Sequence, residues 1–265
     1  MARTSTSTST STSTSTSTST STSTSTANPV AGTPAAEKRQ MYDEFAAVVK
    51  AFGSPVRLMI LELLGQAERS VEALATAAGA SVGNTSAQLQ ILTDAGLVRR
   101  RRQGNRVLYR LADPEVGTLV TQLMAVADHR SASAREAAHN YLGDLDDLRS
   151  ITNAELEAGL ADGSIVLLDV RPHEEYTAGH IDGAHHLDAH RLTQSIQELL
   201  PDLRNWSGAR VEIVAYCRGP YCALAPQALR VLGEHGITGR LLPDGVIGWG
   251  ESGRPVARDW ETHRN

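Results

Sequence analysis

Val211-Glu212-Ile213-Val214-Ala215-Tyr216-Cys217-Arg218-Gly219-Pro220-Tyr221-Cys222-Ala223-Leu224-Ala225 reads as an apolar strand, a short loop and the start of a helix, and the loop holds both cysteines of the 265-residue chain. A strand that ends in Cys and turns through Gly and Pro into a helix aims backbone N–H groups and a helix N-terminus at the sulfur. Such a setting lowers a thiol pKa and holds anions. A buried Cys that only fills space is the plain alternative, because free Cys is among the most buried residue types.

A second segment upstream narrows the choice. Ile165-Val166-Leu167-Leu168-Asp169-Val170-Arg171-Pro172-His173-Glu174-Glu175-Tyr176 leads into Gly179-His180-Ile181-Asp182-Gly183-Ala184-His185. Together with the cysteine loop and the later Asp244-Gly245-Val246-Ile247-Gly248-Trp249, this resembles a rhodanese (sulfurtransferase) domain over residues 145–262. The resemblance implies an α/β domain with a central, mostly parallel sheet and a catalytic Cys at the C-terminal end of a strand, where such sheets place ligands. Cys217 takes that position. As a thiolate it would take the outer sulfur of a sulfane-sulfur donor, thiosulfate or a persulfide, and pass it to a thiol acceptor or cyanide. Arg218, Gly219, Pro220, Tyr221 and Cys222 form the loop around the transferred sulfur, and Asp169 and Arg171 match the family's strand-end pair, expected to brace the loops by a buried ion pair.

Loop length separates this reading from a phosphatase of related architecture. That chemistry needs Cys, five residues and then an Arg that clamps phosphate in bidentate fashion, whereas the equivalent position here is Ala223. Cys222 has two readings: a resolving thiol that turns a persulfide into a disulfide, making the loop a sulfur or redox sensor, or a small residue in the first turn of the helix.

The first half of the chain has a different character. Apolar residues at helical spacing, among them Leu58, Leu61, Leu64, Leu89 and Leu92, predict helices over 41–52, 55–64, 70–78 and 83–95. The last is followed by Ala95-Gly96-Leu97-Val98 and by Arg99-Arg100-Arg101-Arg102-Gln103-Gly104-Asn105-Arg106-Val107-Leu108-Tyr109-Arg110-Leu111, a basic hairpin turning at Gly104-Asn105. This layout, with Ser54-Pro55-Val56-Arg57-Leu58, resembles the ArsR family of winged helix-turn-helix repressors. The resemblance implies that helix 83–95 enters the major groove of double-stranded operator DNA, with Asn84, Thr85, Ser86, Gln88 and Gln90 toward base edges. The wing arginines Arg99, Arg100, Arg101, Arg102 and Arg106 are expected on phosphates or in the minor groove.

Charge follows the same division. Residues 37–112 hold 11 basic and 7 acidic side chains, net +4, while residues 113–265 are net −10. The overall net charge of −5 therefore does not oppose DNA binding, since the basic surface is local. Soft-metal sensing needs clustered thiolates, and residues 37–130 contain no Cys. Asp128, His129 and His139 are too loosely spaced for a metal site, and His180, His185, His186 and His190 read as loop and surface residues; neither metal nor cofactor is expected. A long helix over 114–142 carries the stripe Val116, Leu119, Val120, Leu123, Val126 and Ala127, too apolar for a solvated linker. In the family it forms the dimer interface with the first helix, so a homodimer reading an inverted repeat is expected.

The expected organisation is two domains: a mainly α winged helix-turn-helix domain over 37–130, a linker over 131–144, and the α/β rhodanese-like domain. A Ser/Thr-rich extension over 1–36, with strict alternation from Thr4 to Thr26, has no apolar face to bury and is expected to be disordered. With no signal-peptide core and no apolar run of membrane-spanning length, a cytoplasmic protein with no membrane partner is expected. Two functions compete. One is a repressor whose rhodanese-like half senses or transfers sulfane sulfur, and the other is a working sulfurtransferase, of the thiosulfate:cyanide type, whose DNA-binding half only localises or autoregulates it. A rhodanese fold kept solely as a dimer or partner module is a third reading, and intact Cys217 counts against it.

Overall fold

The computed structural model of the chain describes residues 32–206 and 211–258, so most of the Ser/Thr-rich extension and the end of the expected rhodanese span lie outside the described residues. The chain divides into two compact units, one ending at Ala46 and one beginning at Ala47. The first contributes the opening turns of α1, Pro34–Lys50. The second holds two hydrophobic cores.

The first core belongs to the winged helix-turn-helix. Helix α2, Pro55–Gln66, starts with Pro at its first turn, where the missing N–H costs nothing. Strand β1, Arg69–Ser70, runs directly into α3, Val71–Ala77, whose N-cap Ser70 accepts from the Ala73 N–H. Helix α4, Val82–Asp94, is capped in the same way by Ser81. Then come the wing strands β2, Val98–Gln103, and β3, Arg106–Leu111, in an antiparallel sheet of order β1-β3-β2. Gly104 takes the left-handed backbone, φ 58°, that the two-residue turn requires. Leu61, Leu64, Leu74, Leu89, Leu92, Val98 and Leu111 are buried together in this core.

The helix expected over 114–142 is two helices. α5, Pro114–Arg130, ends at Ser131, and α6, Ala132–Leu142, begins there because Ser131 caps it, accepting from the Ala134 N–H. The stretch expected to be a linker is thus largely helical.

The second core is built around parallel strands. α7, Asn153–Asp162, precedes β4, Ile165–Asp169; α8, His173–Ala178, β5, His180–Ile181, and β6, His185–His186, follow. α9, Ala189–Trp206, leads toward β7, Glu212–Tyr216, and then come α10, Leu224–Glu234, β8, Gly239–Leu241, α11, Gly245–Glu251, and β9, Val256–Ala257. The main sheet is parallel throughout, in the order β6-β4-β7-β8, and β5 pairs with β9 in a small antiparallel sheet. Strands β4 and β7 are near-continuous apolar runs because both faces are covered. Leu168, Ile213 and Ala215 enter one half of the core, and Leu167, Val214 and Tyr216 the other. Asp169 and Tyr216 are register partners, so the carboxyl ends of β4 and β7, and the loops that leave them, lie side by side.

Candidate functional site

Cys217 is the first residue beyond β7, and Cys222 lies two residues before α10. Both are free thiols, 3% and 5% exposed, so reagents reach them only through a narrow opening or a moving loop. The loop is pinned from behind by the start of α11. The N–H groups of Val246 and Ile247 donate to the carbonyls of Cys217 and Arg218 at 3.1 and 3.2 Å. Gly245 makes this approach possible. It adopts φ 57°, and a Cβ there would overlap the Cys217 carbonyl and the Gly219 nitrogen.

The thiols form a pair. Cys217 Sγ donates to the Cys222 carbonyl at 3.2 Å. A hydrogen bond from Cys217 lowers the Cys222 thiol to about 7, helped by the Arg218 guanidinium and the N–H groups of Arg218 and Leu224, which outweigh burial. Cys217 moves the other way. Burial pushes it well above the ordinary thiol range, and its hydrogen bond to Cys222 acts in the same direction. Within the pair the lowering falls on Cys222. The two sulfurs share the Arg218 guanidinium and cannot both ionise in one buried space.

Asp169 and Arg171 form a bidentate ion pair, fully enclosed, with Arg171 Nε 3.0 Å from Asp169 Oδ1 and Nη2 2.5 Å from Oδ2. Tyr216 completes the arrangement. Its hydroxyl donates to Asp169 Oδ2 at 2.7 Å and accepts from the Ile181 N–H at 3.0 Å, tying β4, β7 and β5 together. His180, expected at the surface, is buried on β5 and stacked on Tyr176 at 4.0 Å, with Nδ1 facing the Tyr176 carbonyl. Among the described residues no group of three or more His, Cys, Asp or Glu could hold a metal ion.

On α4, Asn84, Ser86 and Gln90 are exposed. Thr85 is not. It is 0% exposed and, with Leu89 and Leu92 at helical spacing, faces the core, which removes it from the candidate base-reading set. Gln88 is half-buried; its Oε1 accepts from Arg57 Nη1 at 2.7 Å and its amide donates to Asn84 at 3.1 Å, fixing both side chains. Arg99, Arg100, Arg101, Arg102 and Arg106 are all exposed on the wing. Arg101 is engaged by Glu68, which also lies 3.7 Å from Arg110.

Sequence reading missed a polar junction between the two cores. Glu175 on α8 is 0% exposed. Arg218 of the cysteine loop grips its carboxylate, Nε to Oε2 at 2.9 Å and Nη2 to Oε1 at 2.7 Å. Arg69 of β1, 6% exposed, pairs with the same Oε1 and reaches Glu174 at 3.1 Å. Alongside, Arg171 Nη1 donates to Gln66 Oε1 of α2 at 3.1 Å. Burial raises the pKa of Glu62, also on α2, with Arg218 opposing and Glu175 reinforcing the rise. In the sequence Glu175 and Arg69 are single charges among many; only the absence of solvent distinguishes them.

The chain matches the rhodanese-like domain model over residues 152–252 and a helix-turn-helix domain model over residues 52–101. It is 43% identical to the HTH-type transcriptional regulator Rv0324 of Mycobacterium tuberculosis over 219 residues, which cover 83% of this chain and 92% of that protein. It is 37% identical over 93 residues to a biofilm growth-associated repressor of Agrobacterium fabrum, covering 35% of this chain and 78% of the repressor. The solution structure of a homodimeric winged helix-turn-helix domain from Mycobacterium bovis, described as a possible ArsR-family regulator, is 44% identical over 36% of this chain and 89% of its own, with a TM-score of 0.34. The near full-length similarity, falling on both cores at once, places this chain in the family of ArsR-type helix-turn-helix transcriptional regulators that carry a C-terminal rhodanese-like domain.

Proposed function

We propose that this chain is a DNA-binding repressor that responds to sulfane sulfur through the Cys217–Cys222 pair. The observation that carries the reading is a pair of free, enclosed thiols in the strand-end loop, Cys217 donating to the Cys222 carbonyl at 3.2 Å, on the same chain as an exposed arginine wing. In the resting loop the Cys217 thiol is held against Cys222, donating to its carbonyl. As Cys217 attacks the outer sulfur of a persulfide RS–SH, its proton passes to Cys222, the donor S–S bond breaks and RS⁻ leaves. Cys217 then carries –S–SH. Cys222, once deprotonated, can attack the inner sulfur, forming a Cys217–Cys222 disulfide and expelling HS⁻, with no external oxidant. An acceptor thiol attacking the outer sulfur instead completes a transfer, which is the sulfurtransferase alternative; the lowered thiol serves it equally well.

On the DNA side, Asn84, Ser86, Gln88 and Gln90 face base edges, and the wing arginines face phosphates. The exposed apolar residues Leu119, Leu123 and Val126 of α5 fit a homodimer that sets two α4 helices on one operator. No helix among the described residues is long and apolar enough to cross a membrane.

The test is binding to the protein's own promoter region by wild type and Cys217→Ser, with and without inorganic polysulfide. Cleavage after Arg218 puts the two cysteines on separate peptides, so mass assigns the modification. Loss of operator affinity in wild type alone, with added sulfur or a linked peptide pair, supports the reading. Affinity that ignores the modification refutes it. A Cys217→Ser variant that still transfers sulfur to cyanide removes Cys217 as the nucleophile.

A further inference from the structure

We propose that Glu175 is the positioning residue that passes the state of the cysteine loop to the DNA reader, by holding Arg218 of that loop and Arg69 of the wing sheet on one buried carboxylate. This rests on the sulfur-responsive reading above and names the path by which the response travels.

Arg218 is covalently next to Cys217, and the charge of the thiol pair acts on it directly. It has two claims on it, the Glu175 carboxylate on one side and the sulfur anion on the other. Persulfidation adds one heavy atom to a loop whose cysteines are at most 5% exposed, and interiors packed this closely answer an added atom by moving rather than by compressing. Oxidation to a disulfide acts through charge instead, since it removes the thiolate that attracts Arg218. Either product changes where the guanidinium sits.

Glu175 cannot stay indifferent to that change. A buried carboxylate that loses one of two cations gains a large desolvation penalty unless the other closes in, and the other is Arg69. Arg69 sits at a joint of the reader. It pairs with Tyr109 of wing strand β3, and the next residue, Ser70, pairs with Leu108 and caps α3, the helix that precedes the reader helix. A shift of Arg69 therefore moves the wing and the helix-turn-helix against each other. The junction is also poised to rearrange. Arg69 Nε and Gln66 Nε2 are buried without a hydrogen-bond partner, so the present arrangement leaves two donors that a shifted one could satisfy.

The experiment measures operator affinity of the full chain before and after polysulfide treatment, in wild type, Arg69→Gln and Glu175→Gln, with peptide masses confirming equal sulfur uptake. Wild type is expected to change affinity at least about fivefold, the lower range of allosteric coupling. In Arg69→Gln, which leaves Arg218 on Glu175, untreated affinity is expected to stay within about threefold of wild type and the treated-to-untreated ratio to fall below about twofold. Hydrogen exchange of residues 98–111 gives a second readout that does not depend on DNA: treatment raises it in wild type and leaves it unchanged in Arg69→Gln. A full wild-type ratio in Arg69→Gln overturns the path while leaving the sulfur response intact. No ratio in wild type overturns the response and the path together.

Discussion

The ionisation of Cys222 is the feature of the loop most open to direct measurement. At pH 7 a thiol lowered to about 7 is half ionised, whereas an ordinary cysteine near 8.5 is only about 3% thiolate. The lowering comes first from the Cys217 side chain, with Arg218 and two backbone N–H groups behind it, and burial opposes it. Cys217→Ala removes the leading cause and leaves burial in place. The Cys222 midpoint should rise by at least about one pH unit, and its thiolate fraction at neutral pH should fall at least about fivefold. Iodoacetamide labelling between about pH 5 and about pH 9, read on the Cys222 peptide after cleavage at Arg218, gives the midpoint independently of how freely the loop opens. A midpoint near 7 that survives Cys217→Ala, or a wild-type midpoint at or above about 8.5, refutes the assignment. The linkage has a definite sign. Because the folded Cys222 pKa lies below its unfolded value, ionisation stabilises the folded chain, fully above the ordinary thiol range and progressively less as pH falls through 7. Burial of Cys217 acts oppositely: its contribution is full below the ordinary thiol range and is lost as pH rises beyond it.

Two further outcomes test the DNA-binding half. Thr85→Val replaces a buried hydroxyl that has no hydrogen-bond partner with an isosteric methyl, so urea unfolding should show equal or higher stability, by up to about 1 kcal/mol, and operator affinity should not change; a drop in affinity would restore Thr85 as a base reader. Arg100→Gln and Arg102→Gln should each weaken operator and non-operator DNA alike and lower the slope of log affinity against log salt by about 0.9 for each phosphate no longer neutralised. Arg101→Gln should do less because Glu68 already engages that side chain, and a larger effect at Arg101 than at its neighbours would contradict the wing geometry.

Much of this architecture is legible because local patterns are strong. The apolar runs ending in Asp169 and Tyr216, the Gly-Pro loop between the cysteines, and the Gly104-Asn105 turn in an arginine hairpin each specify an element without help from the rest of the chain. Errors arise where a local pattern is ambiguous. The apolar stripe running on from Pro114 suggests one long helix, but Ser131 caps a new one. Thr85 is polar enough to read as a base reader, yet its place one turn before Leu89 puts it on the buried face. His180 looks like a loop residue until β5 and Tyr176 enclose it.

By itself, the sequence determined the two domains, their order, the strand-end position of Cys217 and the basic wing, because each depends on residues close together in the chain. Tertiary structure alone decided which thiol is lowered and which residues join the two cores. The first rests on burial, which turns neighbouring groups into a coupled pair, and the second on pairings between residues about a hundred positions apart, such as Arg69 with Glu175 and Gln66 with Arg171. A charge's strength depends on the water it has shed and the partner it has found, and neither is written in the residues beside it.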